Sequence, residues 1–103
     1  MTNQCEGRVA TASASRYLQQ LCKHWSRRFA VEFDAATGRV PFDNGAVLEL
    51  TAHDDSLALV LSVPTDGNDD RMRGVVEEHL NRFAFREAPL PFEWQEWKVN
   101  GHD

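Results

Sequence analysis

Residues Ser13 to Phe29, S-A-S-R-Y-L-Q-Q-L-C-K-H-W-S-R-R-F, constrain the fold more than any other stretch of the chain. Tyr17, Leu18, Leu21, Cys22, Trp25 and Phe29 recur at the one-face spacing of a 3.6-residue period. That spacing predicts an amphipathic helix over 13–29. Ser13 is placed to cap it, its hydroxyl accepting from an early backbone N–H. A helix with one apolar stripe must bury that stripe against something. The middle of the chain offers the surface.

From Val31 the period drops to two. Val31–Asp34, Arg39–Phe42, Ala46–Ala52 and Leu57–Val63 read as strands, divided by A-A-T-G, by Asp43-Asn44-Gly45 and by His53-Asp54-Asp55-Ser56. Asn44-Gly45 is a strong hairpin signal. Pro41 lacks an N–H and so puts its strand at an edge or a bulge. Leu57, Leu59, Leu61 and Val63 share one face, and Ala58, Val60 and Ser62 the other; this strand reads as central and covered on both sides.

Gly7–Thr11 reads as a short edge strand before the first helix. A second helical run, Asn68 to Glu87, buries Met72, Val76, Leu80 and Phe83, with Gly74 as a weak point. Asn68 can cap it, Asp69 and Asp70 suit its positive end, and Ala88-Pro89 stops it. Leu90–Trp94 is then a last strand, with Phe92 and Trp94 in the core and Trp97 trailing as an exposed contact residue.

The predicted order is β-α-β-β-β-β-α-β: an α+β domain with two helices on one face of an antiparallel sheet, similar to TATA-box-binding-like domains. The single domain runs over 7–98, with 1–6 and 99–103 as flexible termini. With 103 residues, 42% apolar and 26% charged, the core needs neither disulfides nor metal. Cys5 and Cys22 read as free thiols in a reducing, cytoplasmic setting. No run approaches the ~20 apolar residues needed to cross a bilayer.

Charge is unevenly spread. Residues 1–30 carry five cations against one anion, a net of +4, and the rest carries six against fifteen, a net of −9. A basic strip on an acidic body repels polyanions and forfeits most counterion-release affinity, so nucleic acid is not expected as a partner. Nor is a membrane.

Cys22, His24 and His79 draw attention. Cys22 and His24 form C-x-H, but two helical residues turn through about 200°, so the side chains diverge and no metal site follows. Tyr17, His24 and Arg28, at i, i+7 and i+11, share one flank within about 40°. His79 lies on the apolar side of the second helix, followed by Arg82 and Arg86 at i+3 and i+7. These six are the candidate ligand-binding residues, with Arg28 able to hold an anion through two hydrogen bonds. For His79 the competing account is a core imidazole bonded to a strand carbonyl or a tyrosine. A Cys22–His79 nucleophilic pair is geometrically open but lacks an orienting acid and an oxyanion loop. No cofactor motif is present, and no catalytic residue is assigned.

R-V-A-T-A-S-A-S-R-Y-L-Q-Q-L-C-K-H-W near the start, V-E-F-D in the middle and H-L-N-R-F-A-F-R-E near the end resemble a small bacterial family, domain-of-unknown-function family 2218. The resemblance spans roughly residues 7 to 96. It implies a small stand-alone protein and a setting in iron–siderophore uptake. It carries over no activity. The expectation is therefore a non-catalytic accessory module that binds a small anionic ligand or a protein partner, as monomer or homodimer. An enzyme using Cys22 or His79, or a structural self-association domain, are the alternatives.

Overall fold

The computed structural model describes residues 2–43, 45–64 and 69–100. Its elements are β1 (Thr2–Ala10), α1 (Ala14–Trp25), β2 (Glu32–Phe33), β3 (Thr37–Pro41), β4 (Val47–Ala52), β5 (Ser56–Pro64), α2 (Asp69–Phe83), β6 (Phe92–Trp94) and β7 (Lys98–Asn100). This is the expected order plus one strand. All pairings are antiparallel, in the order β2-β3-β4-β5-β1-β6, with β7 also on β1.

Both helices lie on the face carrying Val40, Leu48, Leu50, Leu57, Leu59, Leu61 and Val63, all fully buried. Against them α1 sets Leu18, Leu21, Cys22 and Trp25, and α2 sets Met72, Val76 and Leu80. Burying one such aliphatic side chain contributes about 1.5–3 kcal/mol. Close approach of α1 depends on Gly38 in β3: a Cβ there would sit 2.6 Å from Cys22 Sγ. Gly7 plays the same part in β1, where a Cβ would meet the Trp94 ring at 2.6 Å.

Several expectations need correction. β1 is not a short edge strand: it runs the full length of β5, from Thr2 opposite Pro64 to Ala10 opposite Ser56. Residues 2–6 are thus paired rather than loose, and residues 98–100 pair too. Gly7 faces Trp94 but Gln4 faces Lys98, so two residues of β1 oppose the three of 95–97. That bulge breaks the last strand into β6 and β7. β5 is central but covered on one side only; Ala58, Val60 and Ser62 are half-buried on the open face.

β3 is not the outermost strand, since β2 flanks it, but β2 pairs only with Gly38 and Arg39, so Pro41, at the end of β3 opposite Val47, sits at a local edge. Gly45 holds φ +88° in the following turn, the conformation glycine suits; its hairpin partner Asn44 lies outside the described residues, as does the expected cap Asn68. Ser13 makes no side-chain cap; its own N–H instead donates to Thr11 Oγ1 at 3.1 Å.

Both helices stop a turn early. After Trp25 the chain continues as a tight turn, with Arg28 N–H and Phe29 N–H both donating to Trp25 O. After Phe83 it turns so that Glu87 reaches back to the first helix, where its carboxylate accepts from Tyr17 Oη and from Thr11 Oγ1. Gly74 is the weak point expected. It lies mid-helix and exposed, with nothing within 4 Å of an added Cβ. Gly74→Ala should stabilise the protein by about 1 kcal/mol, raising the thermal midpoint by roughly 5 °C in a calorimetric scan.

Candidate functional site

The helices run antiparallel, which follows from their contacts: Tyr17 meets Glu87, His24 meets His79 and Phe83, and Trp25 meets His79. Where the end of α1 passes the start of α2 they part to leave a cleft of about 590 Å³. Its floor is Trp25, Phe29, Phe42, Met72 and Val75. Trp25 and Phe29 meet Phe42 edge-on at 5.0 and 5.2 Å between centroids, so the aromatic wall is locked by mutual packing. The rim holds His24, Arg27, Arg28, Arg71, His79 and Asp43. Three guanidiniums face one carboxylate there. Asp43 reaches Arg28 at only 3.8 Å, both side chains being largely exposed, a pairing that holds Arg28 weakly.

His79 is half-buried. Its Nδ1 lies 2.7 Å from Val75 O, one turn back in its own helix. A carbonyl can only accept, so that nitrogen carries a proton and Nε2 is the atom left for other partners. The bond is not to a strand carbonyl or a tyrosine, as the core-histidine account supposed. The His79 ring stacks obliquely between Trp25, 5.0 Å away, and His24, 5.7 Å away.

The structure divides the six candidate residues. It gathers His24, Arg28 and His79 at the cleft. Tyr17 lies at the other end of the helix pair and is buried; its bond to the Glu87 carboxylate, then burial, raise its pKa above 10.0. Arg86 lies at that end too, past the end of α2, beside Phe85 and Arg16. It misses the cleft because the helix that would have carried it around to His79 ends at Phe83. Arg82 is exposed and does not line the cleft. Arg28 reaches the cleft although α1 has ended, since the tight turn after Trp25 continues the helical path.

Arg27 and Arg71 are site residues that angular reasoning on single helices misses. Their only sequence signal is positive charge at the two helix ends that an antiparallel pairing brings together. Phe42 comes from the β3–β4 turn and gives no signal in helix periodicity.

Cys22 is not in the cleft. Its side chain is fully buried over Gly38, and burial pushes its thiol up to about 11. A protonated, enclosed thiol is a poor nucleophile, and it points at the sheet while His79 faces His24 and Trp25. Among the described residues no three His, Cys, Asp or Glu side chains converge as a metal set, and no helix is long and apolar enough to cross a membrane.

Trp97 is half-buried rather than an exposed contact. Arg73 lies over its ring at 4.8 Å and over Trp94 at 5.6 Å, while its Nη2 donates to Gln95 O and Cys5 Sγ at 2.8 and 2.9 Å. This cluster fastens the bulge to α2.

Comparison with known proteins agrees with this fold. Residues 6–95 match the model of a family described as "Uncharacterized protein conserved in bacteria (DUF2218)". The NMR structure of PA4090 from Pseudomonas aeruginosa is similar: 36% identity, TM-score 0.72, covering 89% of this chain and 94% of that one. No curated protein matches the chain.

Proposed function

The chain belongs to this uncharacterised bacterial family, and from the cleft we propose that it is a non-catalytic binding module for a small anion with an apolar or aromatic body. One observation carries the reading. Arg27, Arg28 and Arg71 stand with two imidazoles around an aromatic floor, and only Asp43 offsets them, on a protein whose net charge is −5. Such a local reversal of sign focuses an anion toward the cleft. Guanidiniums can grip a carboxylate through paired hydrogen bonds, and the rings of Trp25 and Phe42 take the apolar part. The volume and lining suit a ligand pocket. The chemistry of an enzyme is not supported here: Cys22 is enclosed, and His79 has no nucleophile beside it.

The iron–siderophore setting implied by the family resemblance names the ligands to try first: ferric and iron-free siderophores, and simple aromatic acids. In a two-dimensional NMR titration the amides around Trp25, Phe42, Met72 and His79 should shift. Arg71→Glu should weaken binding about tenfold while leaving the fold intact, since Arg71 is exposed. Unmoved cleft amides at millimolar ligand, for every acid tried, would overturn the proposal.

A further inference from the structure

At the far end of the helix pair from the cleft, Phe85 is 72% exposed, the most open of the large apolar side chains described. A single exposed apolar residue normally needs no explanation. The surroundings of this one do. In H-L-N-R-F-A-F-R-E the fold uses most positions: His79 lines the cleft, Leu80 and Ala84 are core, and Phe83 packs edge-on to His24. Asn81 Oδ1 accepts from Leu90 N–H at 2.8 Å, and Glu87 binds Tyr17 and Thr11. Arg82, Phe85 and Arg86 remain, all exposed.

The turn that presents them is fixed. Ala84 N–H and Glu87 N–H donate to Leu80 O and Ala84 O, and the Glu87 carboxylate is held by two hydroxyls of the neighbouring segment. Phe85 is therefore offered on a platform that loses little freedom when something docks on it. The Arg86 guanidinium lies 5.8 Å from its ring. Beside it a depression of about 230 Å³, lined by Arg16, Tyr17, Gln20 and Phe83 among others, has room for a side chain from a partner.

We infer that Phe85, Arg86 and Arg16 form a docking surface for an acidic segment of another protein, which places one apolar side chain in this depression. Aromatic and arginine side chains on a rigid support are the usual centre of a protein interface. The charge sets the partner's chemistry. Arg16 and Arg86 line the same depression, and the Glu87 carboxylate next to Arg86 in sequence is taken up by Tyr17 and Thr11, so carboxylates on the partner meet two cations there. A polynucleotide is disfavoured by the −9 net charge over residues 31–103.

The test is selection of phage-displayed random peptides on the full chain. Enriched peptides should combine acidic residues with an aromatic or branched aliphatic one. A resynthesised peptide should lose affinity about tenfold or more on Phe85→Ala and on Arg86→Ala, with the thermal midpoint unchanged because both side chains are exposed. The cleft variant Arg71→Glu should bind it normally, which separates this surface from the cleft. The inference is overturned by no enrichment, by enriched peptides without acidic character, or by a Phe85→Ala variant that binds as well as the parent. A dimer in sedimentation velocity that Phe85→Ala dissolves would also overturn it, by giving the surface to a second copy.

Discussion

Replacing Gly38 by alanine should cost the protein about 1–3 kcal/mol and lower its thermal midpoint by roughly 10 °C. The reason is purely steric. Gly38 has no left-handed backbone and sits inside β3, where alanine by itself would be tolerated. Its missing side chain is instead the space occupied by Cys22 Sγ, and a Cβ would stand 2.6 Å from that sulfur and 3.4 Å from Leu18 Cδ2. Both neighbours belong to α1 and are fully buried, so neither can swing aside into water. The helix must rise off the sheet or tilt. Cys22→Ala alone should cost about 1 kcal/mol for the lost packing. Combined with Gly38→Ala it should return much of the stability, because the new methyl takes the place of the sulfur. A double-mutant cycle by urea unfolding would then show a favourable coupling of about 1 kcal/mol or more. Strict additivity would mean that α1 does not rest on β3 at this point.

The contact between Gly38 and Cys22 also shows where sequence reasoning stops. That Cys22 faces the core is legible, because Tyr17, Leu18, Leu21, Cys22 and Trp25 leave a 3.6-residue trace and all five are buried. Which strand lies beneath it is not, since nothing local to either residue encodes the register of helix on sheet. The same division runs through the fold. The alternating strands β4 and β5 announce themselves by leucine and valine at every second position. The first half of β1, T-N-Q-C-E, does not. Its open-face residues are polar, and what makes it a strand is the partner β5, some sixty positions away in sequence. Helix ends fail for a related reason. After Phe83 the second helix gives way to a turn that Glu87 fastens to Tyr17 and Thr11, a tertiary bond, and after Trp25 the first closes in a tight turn on the Trp25 carbonyl, while the periodicity would permit another turn of each.

The candidate site divides along that line as well. Angular placement on one helix brings out His24 and Arg28, and burial brings out His79; these three converge. Arg86 falls outside because its helix ends at Phe83. Arg27 and Arg71 enter only when two helices pack, and Phe42 only when a β-turn folds up beside them.

Raising the pH from 9 to 11 should remove roughly 2 kcal/mol of stability through Cys22 alone. The ordinary thiol value is 9.0 and burial moves it to about 11 in the folded protein. Between those values the unfolded chain gives up the proton and the folded one keeps it. A raised folded pKa therefore contributes stability fully present below pH 9 and lost as the pH climbs through about 11, with a slope of at most ~1.4 kcal/mol per pH unit. Tyr17 acts with the same sign from a higher starting point. Its phenol donates to the Glu87 carboxylate, and that bond, burial and the nearby negative charge all favour the protonated form above pH 10.0. Urea unfolding at half-unit steps from pH 8 to 11 should show stability falling from pH 9 and more steeply beyond 10. Cys22→Ala should flatten the first part and leave the second, which Tyr17→Phe should then remove. At pH 8 neither Cys22 nor Cys5 should react with a disulfide reagent before denaturant is added, since both are buried. A native protein whose Cys22 reacts at pH 8, or a Cys22→Ala variant with the parent's slope between 9 and 10, would mean that the thiol faces solvent.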